Sequence, residues 1–190
     1  MSALDDTVAP RAHGTVDFLR GFPHMETVTM TRTHTVVRSP IGPLTLARED
    51  GALVRLAMSP PTALAADALG ERSDEGFDDV VRQLGEYFAG ERTAFDLPLR
   101  PVGSDFELAV WGELTCIPYG QTRSYGYVAT AVGEPRGAQA VGAANGRNPL
   151  AIVVPCHRVI GAAGSLVGFG GGLPRKRFLL DLEQRDDRLF

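Results

Sequence analysis

Leu97-Pro98-Leu99-Arg100-Pro101 divides this sequence into two halves that cannot share one repeating architecture. Before it, short β-rich runs alternate with turn signals; after it, apolar residues recur at helical spacing. Residues 33–37 and 44–47 are β-rich and separated by Ser39-Pro40-Ile41-Gly42-Pro43, and Asp50-Gly51 precedes a third run at 53–57. An Asp-Gly pair between such runs signals a hairpin. Pro60-Pro61 breaks the pattern, and 62–76 reads as loop. Phe77, Val80, Val81, Leu84, Tyr87 and Phe88 mark one face of a helix stopped by Gly90. The expectation is an α/β N-terminal domain over 33–97, a small antiparallel sheet plus a helix. An extension over 1–32 precedes it and is expected to be poorly ordered. The proline-rich segment itself reads as a linker.

The second half, 101–190, is expected to be mainly α. Ser104-Asp105-Phe106-Glu107 is a capping box, opening a helix with Phe106, Val110, Leu114 and Ile117 on one face. Ser124 can cap a second helix over 125–132, stopped by Gly133. A third begins near Arg136 and runs to about Ala144, with Asn145-Gly146 as a left-handed stop. Two short helices across a glycine-containing turn form a helix-turn-helix candidate. The third helix carries Gly137, Ala138, Ala140, Gly142, Ala143 and Ala144; only Arg136, Gln139 and Val141 project far. So little bulk permits either close approach to a partner or tight packing in the core. Mobile glycine-rich loops follow at 161–164 and 168–172, without the spacing of a phosphate-binding loop. Pro174 sits near the start of a last helix whose apolar stripe is Phe178, Leu179 and Leu182, with Glu183 beside it.

A net charge of −4 argues against a nucleic-acid partner, but the average hides an asymmetry. Residues 123–177 carry seven basic residues against Glu134 alone. A localised basic face suits a polyanion; a solvated surface that happens to be basic is the alternative. The N-terminus has no basic, then apolar, leader, so export is not expected, and no apolar run is long enough for a membrane span. Both cysteines, Cys116 and Cys156, are therefore expected to be reduced, in a cytoplasmic protein. The four histidines and two cysteines lack metal-ligand spacing, so no metal is expected.

Asn148-Pro149-Leu150-Ala151-Ile152-Val153-Val154-Pro155 reads as a strand-like stretch, with Cys156, His157 and Arg158 directly after it. A thiolate is the nucleophilic form, and a base or cation nearby is what generates it. In an extended segment, alternate side chains point to opposite faces, so His157 is expected to reach the sulfur through a water. Glu183 is a candidate to orient the imidazole. Cys116, in the last turn of an apolar-faced helix, reads as structural.

The stretch 148–161 resembles the active-site signature of the O6-alkylguanine-DNA alkyltransferases, the methylated-DNA–protein-cysteine methyltransferases. Residues 39–47, 106–129, 140–149 and 169–183 are similar to other segments of that family, so the resemblance covers roughly 33–185. It implies a ribonuclease H-like N-terminal domain and a winged-helix-like C-terminal one. It also implies direct reversal of DNA damage: an O6-methylguanine, or an O4-methylthymine, is flipped from duplex DNA and its alkyl group passes to Cys156. The thioether is not regenerated, so each molecule acts once, without a cofactor and as a monomer.

By position, the resemblance makes Cys156 the acceptor, His157 the base acting through water, Glu183 its orienting partner and Asn148 a hinge. It places Tyr125 against the phosphate near the flipped nucleotide. It puts Val159, Phe169 and Gly170 at the base pocket, and the third helix, with Arg136, Gln139, Ala140, Gly142 and Arg147, in the minor groove. Where relatives usually carry an arginine finger, this chain has Gln139. Phe169 and Gly170 replace residues that are Tyr in many relatives and Ser in some. A non-catalytic module that recognises alkylated DNA is the alternative, and a thiol hydrolase built on Cys156, His157 and Glu183 is a third reading.

Overall fold

The computed structural model describes residues 31–65 and 68–184; residues 1–30, most of the expected extension, lie outside them. Strands β1 (Arg32–Val37), β2 (Leu44–Glu49) and β3 (Ala52–Ala57) form an antiparallel meander. Its tight turn is Asp50-Gly51, both at positive φ (47° and 81°). That conformation matches the strand twist, and glycine adopts it without strain. The sheet is mixed, not wholly antiparallel. A two-residue strand, β4 (Glu71–Arg72), pairs parallel to β1 and gives the order β3-β2-β1-β4. It lies in the segment read as loop, because two charged residues carry no alternation to read. Helix α1 (Asp78–Ala89) covers the sheet through Val80, Leu84 and Tyr87, with Phe77 just before it, and ends at Gly90 in the left-handed region. Val81, counted in the apolar stripe, is instead exposed.

The segment read as a linker is ordered against the outer edge of β3. Leu53 N donates to Pro98 O (2.7 Å), and Arg100 N to Leu53 O (2.9 Å). Further along the same edge, Leu56 N donates to Pro149 O (2.8 Å) and Ala151 N to Leu56 O (3.1 Å). An open strand edge is thus covered by the linker and by one segment of the second half. One hydrophobic core runs from Leu44 and Leu56 through Trp111 and Val141 to Leu182.

In the second half, α2 (Asp105–Thr115) starts at the expected capping box and buries Val110, Trp111 and Leu114. Helix α3 (Tyr125–Ala131) is capped by Ser124, whose Oγ accepts from Tyr127 N (3.1 Å). Helix α4 (Ala138–Gly146) does not stop at Asn145-Gly146 in a left-handed turn: it runs on to Arg147, at φ −91°. Asn145 stays helical because its side chain turns inward and its Nδ2 donates to Cys156 O (3.2 Å). The small residues of α4 divide between two faces, one buried and one exposed. Ala144 is buried, with Trp111 Nε1 donating to its carbonyl (2.9 Å), while Gln139, Ala140 and Ala143 are exposed. Two short parallel strands, β5 (Arg123–Ser124) and β6 (Val159–Ile160), precede the last helix, α5 (Leu173–Glu183). No helix of the described residues is long and apolar enough to cross a membrane.

Candidate active site

Residues 148–155 form a closed loop, not a strand. Asn148 clips it from both ends: Nδ2 donates to Val154 O (2.8 Å) while Oδ1 accepts from Leu150 N (2.9 Å). Val154 N also donates to Leu150 O (2.8 Å), which bends the chain through Ile152 at φ 74°. A β-branched residue in that region is strained, and the surrounding bonds hold it there. Pro155 then leads into a 3-10 turn, Cys156–Arg158. The expected alternation of faces after Pro155 therefore does not occur, because the turn replaces extended backbone at this point.

His157 and Arg158 both reach Glu183, from the end of α5. His157 Nε2 lies 2.8 Å from Glu183 Oε1, and Arg158 holds both carboxylate oxygens, Nε to Oε2 at 2.8 Å and Nη2 to Oε1 at 3.0 Å. Tyr87 Oη donates to Oε1 (2.7 Å) and Gly120 N to Oε2 (3.2 Å). Arg158 is also anchored to Ile117 O (2.6 Å). Burial pushes the Glu183 carboxyl up, but the hydrogen bonds from His157 and Arg158 outweigh it and hold its pKa at about 2. Burial pushes the His157 pKa down against the pull of Glu183, so the imidazole is neutral. With Nε2 facing a carboxylate, that nitrogen carries the proton and Nδ1 is the acceptor. Nδ1 is buried and has no hydrogen-bond partner among the described residues.

Burial likewise pushes the Cys156 thiol up, opposed by the Asn148 side chain and the charge of Lys176. Lys176 is itself fully buried. Its Nζ donates to Val159 O (2.6 Å) and Val167 O (3.0 Å) and lies 5.8 Å from the Tyr125 ring centroid and 5.9 Å from that of Phe169. Cys156 opens on a cavity of about 230 Å³ whose wall includes Asn145, Asn148, Phe169, Gly170 and the β3 segment from Arg55 to Ser59. Phe169 and Gly170 line the same cavity as Cys156, whereas Val159 is wholly buried in β6 and is not on that wall.

The basic segment is far less basic at its surface than its count. Arg158 and Lys176 are buried, and Arg175 donates to Ile41 O (2.8 Å) and Met58 O (2.7 Å). Arg147 is exposed but ion-paired with Glu107. Arg123 stacks on Tyr127, while Arg136 and Arg177 are exposed. Gln139 and Ala140 project from the first turn of α4; Gly142 faces the Tyr125 ring instead, where an added Cβ would sit at 3.8 Å. Tyr125 Oη donates to Val167 O (3.3 Å) or Gly168 O (3.4 Å).

Tyr87, Asn145 and Lys176 were not legible as site residues. Tyr87 sits in a stripe whose spacing predicts core, and Asn145-Gly146 has the composition of a helix stop. Lys176 did carry a signal: it lies seven residues before Glu183 and shares its helix face. Among the described residues, no group of three or more His, Cys, Asp or Glu side chains is placed to hold a metal.

Residues 33–101 match the family profile of the 6-O-methylguanine DNA methyltransferase ribonuclease-like domain, and 105–185 that of its DNA-binding domain. A methylated-DNA–protein-cysteine methyltransferase of Mycolicibacterium paratuberculosis is 54% identical over 149 residues, covering 78% of this chain and 90% of the relative. One from Methanosarcina acetivorans is 47% identical, covering 79% and 97%. The crystal structure of Mycobacterium tuberculosis OGT in complex with DNA superposes with a TM-score of 0.75 at 51% identity, over 80% of this chain and 92% of that one.

Proposed function

Because this chain belongs to the 6-O-methylguanine DNA methyltransferase family and is a methylated-DNA–protein-cysteine methyltransferase, we propose that Cys156 is its acceptor and reacts only once. The observation that carries this reading is the setting of His157: Nε2 lies 2.8 Å from Glu183 Oε1, which favours a proton on that nitrogen and leaves Nδ1, buried and without a hydrogen-bond partner among the described residues, as the base. A water bridging Nδ1 to Sγ takes the thiol proton onto the imidazole. Sγ attacks the methyl carbon, the S–C bond forms as the C–O6 bond breaks, and the electron pair leaves on the guanine, which takes up a proton. The thioether has no leaving group that water displaces readily, so the protein is consumed. No cofactor enters any step.

The target is duplex DNA, met as a monomer. The exposed small residues of α4 suit close approach to a minor groove. The damaged base, O6-methylguanine or O4-methylthymine, flips toward the Cys156 cavity, because a stacked base is out of the thiol's reach. Gln139 fills the gap it leaves, and Arg136, Ala140, Gly142 and Arg147 lie along the contact, with Arg147 exchanging Glu107 for phosphate. Tyr125 acts at the phosphate beside the flipped nucleotide. Phe169 and Gly170 border the base, Val159 packs behind the site without reaching its wall, and Asn148 links α4 to the acceptor loop. The site of action is the cytoplasm.

Incubation with duplex carrying O6-methylguanine, followed by intact mass, tests the chemistry. One added CH2 per molecule, on the Cys156 peptide, is the expected result. Binding with unchanged mass would indicate a recognition module, and multiple turnover a hydrolase. Gln139→Arg is expected to raise affinity for undamaged duplex by about threefold to tenfold at low salt, since it adds one phosphate-seeking charge, and to speed repair. An unchanged repair rate would remove position 139 from the gap-filling role.

A further inference from the structure

The reaction centre lies in the second half of the chain, yet one of its hydrogen bonds comes from the first. Tyr87 stands in the last turn of α1, wholly buried, and donates its hydroxyl proton to Glu183 Oε1 at 2.7 Å. Its ring packs against Phe88 and Phe95, with centroids 5.4 Å away, and against Tyr119 at 6.2 Å. A phenyl ring would make the same ring contacts, so packing alone does not call for the hydroxyl. Burial and the Glu183 charge push the phenol above its ordinary range, so the oxygen keeps its proton and serves Glu183 as a donor. Oε1 thus receives three donors: Tyr87 Oη, His157 Nε2 at 2.8 Å and Arg158 Nη2 at 3.0 Å. Oε2 receives Arg158 Nε and Gly120 N. An ionised carboxylate oxygen offers about two lone-pair sites, so the three donors on Oε1 compete.

The charge that Tyr87 draws from Oε1 is charge that His157 does not feel. The other charged or titratable groups around the imidazole are Glu183 and Lys176 from α5, and Cys156 and Arg158 from its own turn. Arg158 and Lys176 weaken His157 as a base and Glu183 strengthens it. Tyr87 acts on the group that strengthens it. We infer that Tyr87 is a positioning residue of the transfer reaction: reaching in from the N-terminal domain, its hydroxyl shares Oε1 with His157 Nε2 and so sets how strongly Nδ1 draws a proton. The inference rests on the proposed role of His157 as the base. Too strong a base would already be protonated near neutral pH and have no free Nδ1, and too weak a base would leave the thiol intact.

Tyr87→Phe removes the hydroxyl and keeps the ring, and two measurements read the result. In the DNA-free protein at neutral pH, the proton on His157 Nε2 is expected to resonate further downfield in the variant, because its bond to Oε1 strengthens once a competing donor is gone. Single-turnover methyl transfer followed across pH is expected to fail earlier on acidification, its midpoint rising by about half a pH unit, the scale of one neutral hydrogen bond felt through a shared acceptor. 3-Fluorotyrosine placed at position 87 folds around the same shape and donates more strongly, so it should move both readings the opposite way, whether or not Tyr87→Phe folds well. An unmoved Nε2 proton and an unmoved midpoint, with only stability lost, would overturn the inference and leave Tyr87 a packing residue. Shifts of the same sign in both variants would overturn it as well. Wild type that transfers no methyl would sink the transfer reading and the inference with it, whereas transfer with an unmoved Nε2 proton sinks the inference alone.

Discussion

Cys156→Ser is expected to lower methyl acceptance by at least about four orders of magnitude while leaving affinity for duplex DNA within about twofold. A serine hydroxyl is the poorer nucleophile, and His157 is too weak a base to ionise it without the assistance found in hydrolases. The substitution is nearly isosteric, and the loop around it is held by Asn148 and by the bond from Asn145 to the Cys156 carbonyl, neither of which needs the sulfur. Binding should survive because the exposed residues of α4 lie on a separate surface. Radiolabelled methyl transfer and fluorescence anisotropy, run side by side, check the two halves of this statement. Methyl appearing on another residue of the variant would show the acceptor to be misassigned.

Glu183→Ala is expected to cost about 3–5 kcal/mol of stability, because removing one partner of a buried ion pair leaves the other uncompensated. Four groups lose their acceptor together: Arg158, His157, Tyr87 and the Gly120 backbone N–H. Chemical denaturation measures this loss. Glu183→Gln separates folding from chemistry, since it keeps the shape and one acceptor oxygen but removes the charge. It should cost less stability yet still slow transfer, through loss of the fixed His157 tautomer. The same carboxylate sets an acid limit. Its folded pKa, about 2, lies below its ordinary value of 4.5, so the unfolded chain binds the proton first. The stability it supplies is complete above about pH 4.5 and drains away as pH falls toward 2. The depressed His157 pKa acts in the same direction from its ordinary value of 6.5 downward. Glu183→Gln should flatten the lower part of that acid profile, as followed by thermal denaturation across pH. An unchanged profile would place the acid-sensitive group elsewhere.

The helices were legible because each carries its own start and stop. Ser104 and Glu107 close a capping box that local sequence specifies completely, and Gly90 ends α1 for a reason internal to the residue. Asn145 misled because its side chain answers to Cys156, eleven residues away, and not to its own helix end. The acceptor loop misled in a similar way. Leu150 to Val154 has the composition of a buried strand, and the turn is made by the two hydrogen bonds of the Asn148 side chain together with the bond from Val154 N to Leu150 O. The pairing of His157 with Glu183 was legible from residue type, and the structure brings the two within 2.8 Å. Tyr87 was not, since a tyrosine in an apolar stripe is read as core until its hydroxyl is seen on Glu183. The basic stretch shows the opposite error: a count of charges cannot tell a solvated arginine from one that, like Arg175, holds two carbonyls together.

The seam along β3 also fixes how accurately the reaction centre can be built. Pro149 and Ala151 take their positions from Leu56, so the loop inherits the register of the sheet. A slip of one residue along a strand is about 3.3 Å, and it would also turn the core face of β3 outward. Displacements of about 1 Å already spoil the alignment that an in-line displacement needs. The meander is in that sense a jig: Asp50-Gly51 sets the pairing of β2 with β3, and the tolerance of that turn becomes the tolerance with which the sulfur is aimed.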